Sequence, residues 1–166
     1  MPHLHIIAAV ASNFAIGLRG NLLYHLPADL RRFKDLTTSH TVLMGRKTFQ
    51  SLPKGALPNR RNIVLSATQT HFPCTEVFPD LATALAHCAA DEHIYIIGGA
   101  AVYAEALPIA DAMHLTHIAH TPTEADVYFP RFDASQWRET EREHHPVDER
   151  HSQAFDFVTY QRNSHQ

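Results

Sequence analysis

The chain has 166 residues, with 14 Lys and Arg against 17 Asp and Glu, a formal charge of −3 with its 14 histidines counted as neutral. That length predicts one compact domain that buries about 70% of the surface of its unfolded chain. A hydrophobic content of 45% with 19% charged residues excludes a disordered chain, and the mildly acidic total argues against a partner such as nucleic acid or an anionic membrane. The two cysteines, Cys74 and Cys88, are too few for a disulfide framework and form no CxxC pair for zinc. No Lys or Arg precedes the first apolar stretch, which argues against a secretory signal, and no apolar run reaches the roughly 18 residues that span a bilayer. The expectation is a soluble cytoplasmic protein with reduced thiols.

Strand-like apolar runs alternate with helical patterns along the chain. Leu4–Val10 reads as a buried strand, and Ser12–His25 as a polar loop with Gly17 and Gly20 as hinges. Pro27 stands where a helix starts, and Ala28–Leu36 has helical periodicity. Thr41–Gly45 is a second strand, Arg46–Leu52 a short helix, Pro53–Asn62 a loop and Ile63–Ser66 a third strand. Glu76–Phe78 is a weak strand and Asp80–Ala89 a helix with Asp80 as N-cap. Ile94–Ile97 is a strand that runs into Gly98-Gly99, followed by a helix over Ala101–Leu107 and a strand over Met113–His120. Trp137–His144 and Phe155–Gln161 alternate as an antiparallel hairpin. This order predicts an α/β fold in a single domain spanning 1–166: a central, mainly parallel twisted sheet of about eight strands, helices on both faces and the hairpin at one edge.

Four features can carry chemistry. Asp29 lies within about 40° of Phe33 and Leu36 on a helix, in the middle of its apolar stripe. It either complements the helix dipole or is a pocketed carboxylate that pairs with a ligand's donors and handles protons. Gly98-Gly99, between strand and helix, is either a structural turn or a place where backbone approaches a phosphate. Gly45-Arg46-Lys47-Thr48 brings two cations and a hydroxyl to another such turn, either a solvated basic turn or a phosphate site; two such turns on one parallel sheet favour a dinucleotide. Arg60-Arg61 is either surface charge or a fork for a carboxylate. His114, His117 and His120 have HxxHxxH spacing, but in a strand positions i and i+3 face opposite sides, so a shared metal is geometrically poor. No metal site is expected.

In this order the residues resemble the dihydrofolate reductase family. The resemblance runs through Ile7-Ala8-Ala9, Ile16-Gly17, Leu26-Pro27-Ala28-Asp29-Leu30 with Phe33-Lys34, Met44-Gly45-Arg46-Lys47-Thr48-Phe49, Leu57-Pro58-Asn59-Arg60, Asn62-Ile63-Val64-Leu65-Ser66, Ile97-Gly98-Gly99-Ala100, Val102-Tyr103 and Leu115-Thr116-His117-Ile118. Each motif is weak, but the ordered set covers nearly the whole chain and is specific.

The resemblance implies reduction of 7,8-dihydrofolate to tetrahydrofolate with NADPH, by hydride transfer from nicotinamide C4 to pterin C6 and protonation at N5. It also implies a monomer that binds antifolate inhibitors. Asp29 would hold the pterin 2-amino group and N3, supported by Thr116, with Tyr24 holding a water. Ile7, Ala8, Leu30, Phe33, Leu52, Leu57, Ile97 and Tyr103 would line the substrate slot, with Arg60, assisted by Lys34, on the α-carboxylate of the glutamate tail. Ala9, Ile16, Gly98, Gly99, Ala100, Val102 and Tyr103 would lie near nicotinamide and pyrophosphate, and Gly45, Arg46, Lys47, Thr48 and Ser66 near pyrophosphate and adenosine phosphate. A cis peptide between the two glycines and a lid over Ser12–His25 belong to the same expectation.

The chain departs from the family pattern in several places. Tyr24 stands where Trp is usual, Leu23 where Pro is common, and Ala67 and Ala101 where some relatives place polar or basic residues. That leaves Arg46 and Lys47 as the basis for preferring NADPH over NADH. The Lys54–Pro58 loop is one residue longer than in compact bacterial members. Rival readings are a pyrimidine reductase of the riboflavin pathway, a histidine-rich metal-binding protein, and a noncatalytic nucleotide-binding module. Asp29 in its Leu-Pro-Ala-Asp-Leu setting argues against the first.

Overall fold

Among the described residues, eleven strands and four α-helices follow one another along the chain. They are β1 (His3–Val10), β2 (Ala15–Leu18), β3 (Asn21–Leu22), α1 (Pro27–Thr37), β4 (Thr41–Gly45), α2 (Arg46–Ser51), β5 (Arg61–Leu65), β6 (Glu76–Phe78), α3 (Leu81–Ala86), β7 (His93–Gly98), α4 (Ala100–Ala106), β8 (Ala112–Ile118), β9 (Val127–Tyr128), β10 (Trp137–His145) and β11 (Phe155–Arg162). The structure is a computed structural model and describes residues 1–163.

The main sheet has eight strands in the order β10-β11-β8-β1-β7-β4-β5-β6. Pairings from β8 through β6 are parallel, and only β11 runs against its neighbours, so the predicted hairpin forms the edge beyond β8. Burial on both faces explains the continuous apolar runs in β1, β4, β5 and β7. Val42, Met44, Val64, Tyr95 and Ile7 face α1 and α2. Leu43, Ile63, Ile94, Ile96, Met113 and Leu115 face α3 and α4. Asp80 caps α3 as expected, accepting from the Thr83 N–H at 2.7 Å. Among the described residues no helix is long and apolar enough to cross a membrane.

The segment expected as one loop over Ser12–His25 is partly ordered into a second sheet. β2 pairs with β3 and with β9, in the order β3-β2-β9. These strands are four and two residues long, too short for hydrophobic periodicity to register. Gly17 lets β2 and β3 close tightly, since a Cβ there would lie 3.3 Å from the Asn21 carbonyl oxygen.

At the N-terminal ends of the central strands the α1 face carries a column of histidines. His3 stacks on His93 with ring centroids 4.5 Å apart. His5 Nε2 lies 2.9 Å from His93 Nδ1, and His5 Nδ1 lies 3.1 Å from His114 Nε2. His117 points to the other face and meets the Tyr160 hydroxyl at 2.9 Å, so the three regularly spaced histidines do not converge.

Burial, aided by the charges of its histidine neighbours, pushes His5 down to about 3, and burial with the charge of Arg32 pushes His114 down to about 4. Both stay neutral in the fold where the unfolded chain takes up protons below about 6.5. Stability is therefore complete above that pH and falls as pH drops toward 4. Melting temperature should fall steeply from pH 7 to pH 5 in the wild type and less steeply in His114→Phe. Parallel falls in the two proteins would contradict this assignment.

Candidate active site

The cleft begins with how α1 is seated. Pro27 occupies its first turn, and Leu26 offers no side-chain cap. The cap comes instead from far along the chain: the Ala28 N–H donates to His151 Nε2 at 3.1 Å, while Asp148 holds His151 Nδ1 at 2.9 Å. Asp29 then points from the first turn toward the sheet. The Thr116 hydroxyl of β8 donates to Asp29 Oδ1 at 2.5 Å. Burial raises the Asp29 carboxyl above its ordinary value, with the Thr116 bond and the positive charge of Arg32 pulling the other way. A carboxylate serving only the helix dipole would be solvated; this one is set into the protein against β8.

Phe33 and Leu36 of α1 share one apolar cluster with Ile7, Leu52, Leu57 and Ile97, so most of the expected slot residues come together. Leu30 lies 51% exposed, on the open side of the helix. Ala8 alternates to the other face of β1, where it packs with Ile16 against the second core. Lys34 is exposed.

The Arg60-Arg61 pair divides its duties. Arg61 is taken up by Glu76 at 2.6 Å and Glu92 at 2.9 Å. Arg60 donates from Nη1 to the hydroxyl of fully buried Thr37 at 3.0 Å and from Nε to the Pro58 carbonyl at 2.9 Å. Buried Asn62 holds this loop in place, accepting from the Leu57 N–H and donating to the Leu57 and Arg60 carbonyls.

The two glycine-containing turns lie side by side because β4 and β7 are adjacent parallel strands, with Met44 opposite Gly98. The Gly98–Gly99 peptide is cis. Gly98 has φ +138°, and a Cβ on it would approach the Thr48 hydroxyl oxygen to 3.1 Å. A Cβ on Gly45 would meet Val102 at 3.3 Å. Arg46, Lys47 and Thr48 open α2 at the end of β4, and Ala100 opens α4 after Gly99. Ser66 follows β5, the next strand over, and its hydroxyl accepts from the Gln69 N–H at 3.0 Å. The buried Tyr103 hydroxyl donates to the Ile7 carbonyl at 2.8 Å, tying α4 to β1. Ala9 packs near Tyr24 and Ala28.

Tyr24 is not brought to Asp29. Its hydroxyl lies 2.6 Å from His120 Nδ1, and no hydrogen bond joins it to the carboxylate among the described residues. Three supporting residues lay beyond sequence reasoning: His151 at the helix cap, Thr37 under Arg60, and Arg32 beside Asp29. No local pattern marks the first two, because their partners are distant in the chain.

A mainly parallel α/β sheet with paired phosphate-ready turns at its strand C-termini belongs to the class of dinucleotide-binding folds. The family model described as dihydrofolate reductase matches residues 3–162. The chain is 44% identical to a dihydrofolate reductase type 3 of Salmonella typhimurium over 96% of this chain and 98% of that one. It is 38% identical to a dihydrofolate reductase of Bacillus subtilis, over 97% and 95%. A solved dihydrofolate reductase from Enterococcus faecalis, complexed with NADP(H) and RAB-propyl, superposes with a TM-score of 0.90 at 34% identity, covering 98% of this chain and 97% of that one. This chain belongs to the dihydrofolate reductase family.

Gly98→Ala should cost about 1–3 kcal/mol, from the positive φ and the contact with Thr48, and should lower the urea midpoint. An unchanged midpoint would contradict this crowding of Gly98 against Thr48.

Proposed function

We propose that the chain reduces 7,8-dihydrofolate to 5,6,7,8-tetrahydrofolate with NADPH. The observation that carries this reading is the Asp29–Thr116 pair set beside the apolar slot, adjoining the Gly45–Thr48 and Gly98–Gly99 turns on one sheet. Without a Cβ, Gly98 and Gly99 let their backbone lie close against the Thr48 hydroxyl, which a Cβ would approach to 3.1 and 3.5 Å, and Arg46 and Lys47 open the neighbouring helix, so the residues present fit a pyrophosphate. NADPH, when bound, supplies the hydride for pterin C6.

The chain's own residues bind and orient. The Asp29 carboxylate accepts from the pterin 2-amino group and N3–H, which requires its ionised form, while the Thr116 hydroxyl fixes its rotation. Phe33, Leu52, Leu57 and Ile97 exclude water from the rings. Arg60, already aimed by Thr37 and Pro58, retains free N–H groups for the α-carboxylate of the glutamate tail, with Lys34 assisting. N5 takes its proton from a solvent water in a site whose one expected ionisable group at the pterin is Asp29, and Tyr24 with His120 closes the lid side. Gly98, Gly99 and Ala100 present backbone to pyrophosphate; Arg46, Lys47, Thr48 and Ser66 hold the adenosine side, and Ala9, Ile16, Val102 and Tyr103 border nicotinamide.

A monomeric, cytoplasmic setting is part of the proposal. It is supported by two free thiols, Cys74 and Cys88, and by large exposed apolar residues as dispersed along the chain as Leu22, Ile109 and Val147.

Loss of NADPH absorbance on adding dihydrofolate tests the reading. Wild type should turn over, and Asp29→Asn should lose about 10²-fold or more in kcat/KM at pH 7, roughly 2.7 kcal/mol of transition-state stabilisation. Wild type without turnover would overturn it. Arg46→Ala should raise KM for NADPH more than for NADH; equal rises would remove Arg46 from coenzyme discrimination.

A further inference from the structure

Asp29 is a carboxylate held where burial favours its neutral form, yet accepting two donors from a pterin demands the ionised form. The Thr116 hydroxyl contributes a hydrogen bond but no charge. Three residues further along α1, on the same side of the helix as Asp29, Arg32 folds across toward β11 rather than out to solvent. Its guanidinium carbon lies 4.6 Å from the centroid of the Phe157 ring, and Nη2 donates to the Thr159 hydroxyl at 3.4 Å. Both partners are defined by the sheet: Phe157 pairs with Thr116 and Thr159 with His114. The charge of Arg32 is therefore held one strand away from the residue that grips Asp29, and no hydrogen bond joins Arg32 to Asp29 directly among the described residues.

We propose that Arg32 is a positioning residue for the reaction, a fixed positive charge behind Asp29 that keeps the carboxylate ionised and seated for the pterin. Each group around the carboxylate fits that arrangement. His114 of β8 stays neutral in its buried column. The Tyr103 hydroxyl of α4 is pushed above its ordinary value by burial and by Asp29 itself, so it stays a protonated donor to the Ile7 carbonyl. His151 is committed to Ala28 and Asp148. Glu141 and Glu143 of β10, opposite Thr159 and Phe157, stand on the far side of Arg32 and hold its charge in place against burial. Glu143 also meets His145 Nε2 at 2.7 Å. The result is an alternating row, Asp29, Arg32, then the two glutamates, running from the cleft to the edge strand.

The proposal deepens the reductase reading but is tested without depending on it. Carbon-13 NMR of the aspartate side-chain carboxyls, followed against pH in the ligand-free protein, reads the Asp29 titration; its signal is assigned by its absence in Asp29→Asn. In Arg32→Met the titration should move up by about one pH unit, the lower end for loss of a neighbouring unit charge. Arg32→Lys, which keeps the charge and gives up the planar stack, should stay near wild type. Glu141→Gln with Glu143→Gln, made on exposed positions that leave α1 untouched, should move it down. The pH profile of kcat/KM for dihydrofolate should shift in the same directions. An Asp29 titration unmoved in Arg32→Met overturns the proposal, as does Arg32→Lys behaving like Arg32→Met, which would assign the effect to packing on Phe157. Absence of dihydrofolate turnover would reject the reductase reading alone, since the NMR titration would still be read.

Discussion

One hydrogen bond, from Thr116 on β8 to Asp29 on α1, constrains the site more than any other contact. It joins the first turn of a helix to the strand beneath it and fixes a carboxylate set into the protein. Several features become intelligible as support for that placement. His151 reaches back 123 residues to cap the helix that carries Asp29. Tyr103 ties α4 to β1 beside the same cleft. Burial of the carboxylate opposes its ionisation, and the charge of Arg32 offsets part of that opposition. An apolar cleft raises the electrostatic value of each polar group inside it and the cost of leaving one unpaired. A site for a flat heterocycle with a few donors therefore needs few polar residues, each tightly positioned.

The parallel sheet does the rest. Adjacent strands β5, β4 and β7 deliver their C-terminal ends side by side, and with them Ser66, the Gly45–Thr48 turn and the Gly98–Gly99 turn. This edge offers backbone and the cations of Arg46 and Lys47, part of a wider segregation of charge along the chain. Residues 31–61 hold eight of the 14 basic residues and one acid, Asp35, a net +7, whereas the remainder, with six bases against 16 acids, carries −10. The overall charge of −3 thus conceals a cationic stretch suited to small anions, and a partner such as nucleic acid is not needed to explain it.

Much of this was legible before any coordinates. Buried parallel strands announce themselves as uninterrupted apolar runs, and the expected ends of β1, β4, β5 and β7 lie within two residues of the observed ones. Asp29 stood out because a carboxylate in an apolar stripe is a local anomaly. The glycine turns stood out because strand, glycine and helix follow one another directly. What escaped detection depends on partners far away in sequence. The short strands β2, β3 and β9 have too few residues for a period to show, and β9 reaches β2 only by pairing across more than a hundred residues. Arg61 and Arg60 look equivalent in sequence, and only Glu76, Glu92 and Thr37 separate them. Tyr24 was expected to hold a water; its hydroxyl meets His120 Nδ1 at 2.6 Å, a partner that no spacing rule connects with it.

The central claim is that Thr116 acts through Asp29 and not separately. A double-mutant cycle on kcat/KM for dihydrofolate reads this directly. Thr116→Val should impair the wild type by about tenfold or more, roughly 1.4 kcal/mol, and should cost almost nothing further when Asp29 is already Asn. Losses that simply add in the double variant would contradict the account, because they would mean that the threonine and the carboxylate serve the reaction independently.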